Sequence, residues 1–245
     1  MDNENVKVQI NTGEAAEIRL VTVNEPPAYR YNGFNYNLES TESFINAVTS
    51  KGCTEGTVIF YHENGFNAVL DDRVKDRQKD TLAYGFKKSV LFKEWEDVFQ
   101  RHQRQGFNQK EFVDFLKRRP ADQVAGVEAL IANASKMQFA KEVKGGHDIN
   151  ESGKTIRFEY HVNDVVVTAK LPTVIEAFIP VFNESPFVAK MEIELAIEWP
   201  DGGTPEIVLS CPKLPRYLEE ARAAEVARLK EGLNDFLILA GQPTK

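Results

Sequence analysis

The clearest signal along the chain is a change of period. Between about residues 92 and 135 apolar positions recur every three or four residues; from about residue 137 they recur every second one. The first spacing lines one face of a helix and the second lines one face of a strand. Met191, Ile193, Leu195, Ile197 and Trp199 alternate with Lys190, Glu192, Glu194, Ala196 and Glu198, which predicts a strand with one buried and one wet face. Ile156, Phe158 and Tyr160 alternate in the same way with Arg157, Glu159 and His161. Gly145-Gly146, Asn163-Asp164 and Gly202-Gly203 fall where turns belong. The pattern predicts an antiparallel sheet of five or six strands, over 137–143, 154–162, 165–171, 174–182, 187–199 and 204–211.

Helices are marked by their ends. Ser40 is a candidate cap for a helix over 41–50 that ends near Gly52. Phe92, Trp95 and Phe99 form the apolar stripe of a helix over 92–102. Asn108 with Glu111 three residues on resembles a capping box, and that helix stops before Pro120. Asp122 is read as the cap of a further helix carrying Val124, Val127, Leu130, Ile131 and Ala134 on one face. Pro215 opens a final helix to about Gly232, with a narrow stripe of Leu218, Ala221, Ala224 or Glu225, and Leu229; the tail 236–240 is apolar enough to dock.

The N-terminal third is mixed. Apolar runs at 57–61 and 67–71 flank Asn64-Gly65, a strong hairpin signal, and 81–89 reads as a third strand. Val6, Val8 and Ile10, then Ile18 and Leu20, alternate like strands before Pro26-Pro27 breaks the pattern. The resulting expectation is an α+β fold in three parts. Residues 1–38 form an arm or hairpin with a connector, 39–135 a small α/β and helical unit, and 136–245 the antiparallel sheet with its C-terminal helix.

Composition narrows the class. With 42 % hydrophobic and 27 % charged residues the chain is globular in type, and 245 residues are enough for a core without disulfides or metals. Two distant cysteines, Cys53 and Cys211, and an acidic N-terminus with no apolar leader point to a reducing cytoplasm and free thiols. No apolar run approaches the ~20 residues that span a membrane. The net charge of −7 is unevenly laid out: residues 73–119 carry 13 Lys/Arg against 7 Asp/Glu, while 1–72 carry 4 against 11 and 120–245 carry 13 against 19. A basic middle between acidic flanks either meets an anionic partner or is neutralised within the fold.

Catalytic motifs are missing. There is no phosphate-binding glycine loop, nucleophile elbow, HExxH or CxxC, and His62, His102, His147 and His161 stand singly. No cofactor is expected. Two weaker constellations remain. Glu63 with Asp71 and Asp72 on the predicted hairpin offers oxygen ligands to a divalent cation, though adjacent strand residues point to opposite faces. Arg101 and Arg104 close one helix and Lys117, Arg118 and Arg119 the next. Cations there suit the helix dipole, and they equally suit phosphates of a nucleic acid.

Glu94-Trp95, followed by Asn108-Gln109, Phe112 and Phe115-Leu116, resembles a signature of the YfdQ-like family of bacteriophage and prophage proteins. Further echoes are Ala68-Val69-Leu70-Asp71, Ile179-Pro180-Val181-Phe182 and Gly241-Gln242-Pro243. The order is preserved over roughly residues 40–243. One departure is Asp72-Arg73, where that pattern has Tyr-His. The family is a domain of unknown function, so the resemblance implies a phage or prophage origin and a bacterial cytoplasm, not a reaction. The leading expectation is an accessory protein that works by binding, as a homo-oligomer with a further host or phage partner. The alternatives are a metal-dependent enzyme of phage nucleic-acid or nucleotide metabolism and a non-specific nucleic-acid binder.

Overall fold

A computed structural model describes residues 33–73, 79–101, 106–136, 148–149, 155–162, 165–198 and 205–243. Among the described residues, five helices and three sheets make an α+β protein. The first sheet has the order β1-β4-β3-β2-β11, from β1 (Asn35–Leu38), β2 (Val58–His62), β3 (Gly65–Val69), β4 (Thr81–Gly85) and β11 (Leu237–Ala240). It is mixed. β2, β3 and β4 form an antiparallel meander, whereas β1 pairs parallel to β4 and β11 parallel to β2.

The hairpin expected at Asn64-Gly65 forms, with Glu63 and Asn64 as its two-residue loop. Neither loop residue takes a positive φ; Gly65 does, at +151°. A Cβ on Gly65 would lie 1.9 Å from the Tyr84 carbonyl oxygen, so glycine is required for close strand approach as well as for its dihedral. β1 falls inside the stretch expected to be a connector. The arm expected at 1–24 lies outside the described residues.

Helix α1 (Thr41–Lys51) is capped by Ser40, whose side chain accepts from the Ser43 N–H, as its sequence predicts. The capping box of α3 (Gln109–Lys117) is also present, with Asn108 and Glu111 bonding each other's backbone. Helix α2 (Val90–Arg101) starts at Ser89, whose hydroxyl accepts from the Phe92 N–H at 3.0 Å. The helix expected from Asp122 begins later, as α4 (Val127–Lys136). Gly126 at φ +65° cannot sit in a helix, and Val124 is used instead in a bridge to Ala177.

The C-terminal strands divide into two sheets of three: β5 (Asp148–Ile149), β6 (Thr155–Val162) and β7 (Val165–Pro172), and separately β8 (Val174–Pro180), β9 (Val188–Glu198) and β10 (Glu206–Ser210). Every pairing within them is antiparallel, as expected. Among the described residues the two are separate sheets. The chain leaves one sheet and enters the other at Pro172-Thr173, where proline has no N–H for the ladder. The strand expected at 137–143 lies outside the described residues.

Two cores result. The larger joins α2, α3 and α4 to the inner face of β8–β10, with Trp95, Phe92, Phe112, Met191 and Ile179 all fully buried. The smaller joins α1 to one face of the five-stranded sheet through Phe44, Val48, Ile59, Phe66 and Leu82. Helix α5 (Leu214–Gly232) crosses both. Tyr217 and Ala221 belong to the first core and Leu229 and Leu233 to the second. At the midpoint of this every-fourth-residue stripe stands Glu225, 1 % exposed. Its carboxylate accepts from the hydroxyls of Thr41 and Ser185 (2.5 Å to the latter) and pairs with Arg228 at 3.1 Å. Thr41 opens α1, so the anion also lies at a helix N-terminus, the positive end of the dipole. The C-terminal helix and strand therefore return to the N-terminal sheet.

Candidate interaction surface

Strand alternation gives the five-stranded sheet two faces, and the helices α1 and α5 occupy one. On the other face the register aligns Leu237, Val58 and Val69 in one row. It aligns Leu239, Phe60, Asn67 and Ala83 in the next. None of these side chains belongs to either core cluster, although Val69 is itself buried. Leu237 is 53 % and Leu239 40 % exposed, and Val58, Phe60 and Ala83 are half-buried. The result is a contiguous apolar patch at a sheet edge. Among the described residues β11 is an edge strand, and its sequence, Leu-Ile-Leu-Ala, carries neither charge nor proline to discourage pairing. Sequence reasoning marked this tail as able to dock, but not that half of it would remain uncovered. The signal was available: four consecutive apolar residues in a strand must place two on each face.

The candidate metal ligands are not brought together. Glu63 sits at the turn end of the β2–β3 hairpin, where it pairs with Arg222 at 3.6 Å. Asp71 and Asp72 follow β3 at the opposite end, and the Asp72 N–H bonds the Gly56 carbonyl at 2.8 Å. Six strand positions, roughly 20 Å, separate the two ends. Asp71 faces Arg73 at 3.4 Å and Asp72 faces Lys79 at 2.6 Å. Among the described residues no group of three or more His, Cys, Asp or Glu is arranged to hold a metal. His62, at the end of β2, accepts from the Asn64 N–H through Nδ1 at 3.2 Å, and partial burial lowers its pKa.

The basic residues separate into two groups. Arg119 is a structural residue: its side chain is 6 % exposed, stacked 4.6 Å from the Phe115 ring centroid and paired with Glu94. Arg101, Lys117 and Arg118 are on the exterior, with Arg118 donating to the Asp114 carbonyl at 3.2 Å. Arg101, Arg118 and Arg119 border a shallow cleft of about 350 Å³ that also contains Glu94 and Asp97. Arg104 lies outside the described residues. Much of the basic middle is matched by acidic neighbours: Arg73 with Glu55, Lys79 with Asp72, Lys87 with Glu39 and Lys88 with Glu96.

The thiols are unequal. Cys53 is exposed, and Cys211 is buried, with its pKa pushed up to about 11 by desolvation. Among the described residues no helix is long and apolar enough to cross a membrane. Of the residues in the Glu94–Leu116 segment, Trp95, Phe112, Phe115 and Leu116 are buried and Asn108 is a helix cap. Compared with protein-family models, with curated proteins and with solved structures, the chain matches none of them.

Proposed function

We propose that the protein acts by binding, as a self-associating accessory factor, and that the second copy docks on the uncovered face and edge at β11. The signature at Glu94–Leu116 suggests a phage or prophage setting in a bacterial cytoplasm, with a further host or phage macromolecule as partner. One observation carries the reading: among the described residues, Leu237 and Leu239 lie on an edge strand and continue as an apolar row onto the half-buried Val58 and Phe60. Two strands at ~4.8 Å spacing by about five residues give a patch of roughly 160 Å². Paired with its like, that patch buries well under ~1,200 Å², the range of weak and transient associations, with backbone bonds along the β11 edge adding to it.

The test is sedimentation velocity over a concentration series reaching about 100 µM, a range suited to weak interfaces. The wild type should shift toward dimer as concentration rises. Leu239→Lys should remain monomeric with little change in melting temperature, because that side chain is 40 % exposed and belongs to neither core. A wild type that stays monomeric throughout the series refutes the reading.

A further inference from the structure

On its helix-covered side the same sheet borders a groove that neither core fills. It lies where the parallel strands β2 and β11 end, against α5, and has a volume of about 670 Å³. That is within the range of small-molecule sites, and carboxyl ends of parallel strands are where open α/β sheets form their crevices. Helix α5 presents to it a face adjoining its buried stripe: Arg222, Ala223, Val226, Ala227 and Lys230. The alanines keep the floor open. Across from them stand the half-buried Tyr61 ring and the end of β11, held by the Gly241 N–H to the Tyr61 carbonyl at 2.9 Å.

The charges of the lining have a definite sense. Lys230 places its ammonium 4.9 Å from the Tyr61 ring centroid, and Arg222 reaches the mouth. Glu63 is the one acidic residue in the lining; it is 74 % exposed and its 3.6 Å approach to Arg222 is loose. In a chain of net charge −7 this leaves an apolar, aromatic-walled groove with a cationic rim. From this we infer that the groove binds a small organic anion with a planar apolar body, which lies against Tyr61 and the α5 alanines while Arg222 and Lys230 contact its charge. Glu63 yields Arg222 to the ligand at little cost, since an exposed pair of this length contributes little. This site is on the opposite face of β11 from Leu237 and Leu239, so it does not depend on self-association.

The experiment uses two dyes with similar bodies, the anionic 8-anilinonaphthalene-1-sulfonate and the neutral N-phenyl-1-naphthylamine, titrated into the native full chain. The sulfonate should bind one per chain with enhanced emission, more tightly than the neutral dye and less tightly as salt rises. The double variant Arg222→Gln/Lys230→Gln should weaken the sulfonate about tenfold, the scale of two solvent-screened contacts, and leave the neutral dye unchanged. Ala227→Trp should abolish both, with Ala223→Leu as a milder block should the tryptophan prevent folding. Leu239→Lys should bind both as the wild type does, so failure of the self-association reading leaves this one standing. Absence of binding, binding that survives a folded blocking variant, loss in Leu239→Lys, or no preference for the anion would each overturn the inference.

Discussion

Replacing Glu225 with alanine tests how the two cores are held together. The carboxylate is 1 % exposed and takes hydrogen bonds from Thr41 and Ser185, and its nearest cation is Arg228. Hydrogen bonds to a charged group are worth ~1.5–3 kcal/mol each, and part of that sum offsets the cost of desolvating the ion. The substitution removes the acceptor and leaves the Thr41 hydroxyl buried without it, Thr41 being 1 % exposed. Arg228 keeps Glu42 at 3.4 Å and is 28 % exposed, so it is not stranded. The expected loss is therefore about 3–4 kcal/mol, at the lower part of the range for a broken buried pair. Glu225→Met fills similar volume and removes the charge that had to be desolvated, so it should cost about half as much. Urea unfolding followed by fluorescence and circular dichroism measures both. A loss under ~1 kcal/mol for alanine, or methionine as damaging as alanine, would refute the view of Glu225 as a buried charge satisfied by its neighbours.

Gly65→Ala should lower the urea midpoint by an amount equivalent to at least ~2 kcal/mol, since the new Cβ meets the Tyr84 carbonyl; an unchanged midpoint would show that the hairpin can shift. A thiol reagent should modify Cys53 quickly and Cys211 only on unfolding, and equal rates would contradict the burial of Cys211. Because folding raises the Cys211 pKa from 9.0 to about 11, the unfolded chain loses this proton first, and stability should fall between those pH values. The fall should be smaller in Cys211→Ser, as read from denaturant midpoints across that window, the remainder coming from Tyr84, Lys190 and Lys213, whose pKa values are also raised. Arg119→Glu should destabilise the protein by about 1–2 kcal/mol, by placing a buried carboxylate beside the half-exposed Glu94 and losing the stack on Phe115, whereas Lys117→Glu/Arg118→Glu should stay within about 0.5 kcal/mol per site. If single-stranded DNA is retained on filters at low salt, the double variant should flatten the salt slope by about two; retention equal to the wild type's would end the nucleic-acid reading for these residues.

What was legible in the sequence was what local chemistry decides. The Asn108–Glu111 box, the Ser40 cap and the alternation through β9 each involve residues within a few positions, and each formed as expected. Local patterns misled where one residue's backbone outweighed a periodic stripe. The stripe from Val124 onward reads as helical, yet Gly126 takes a left-handed φ and delays the helix. The carboxylate trio failed for another reason: proximity along a hairpin was mistaken for proximity across it, and the register sends Glu63 and Asp71 to opposite ends.

Long-range pairing was the part the chain did not announce. β11 pairs with β2 from about 180 residues away in sequence, and β1 pairs with β4 across the whole meander. Parallel neighbours need a crossover, so no turn signal marks their partnership. Both candidate surfaces depend on that pairing. Ile238 aligns with Ile59 and supports the smaller core, while Leu237 and Leu239, one residue either side, face outward. The same strand's end at Ala240 and Gly241 closes the groove against α5. A charge at position 239 changes only the outer face, and a bulky residue at position 227 changes only the groove. The two readings, self-association and anion binding, thus share one strand and can be separated by one substitution each.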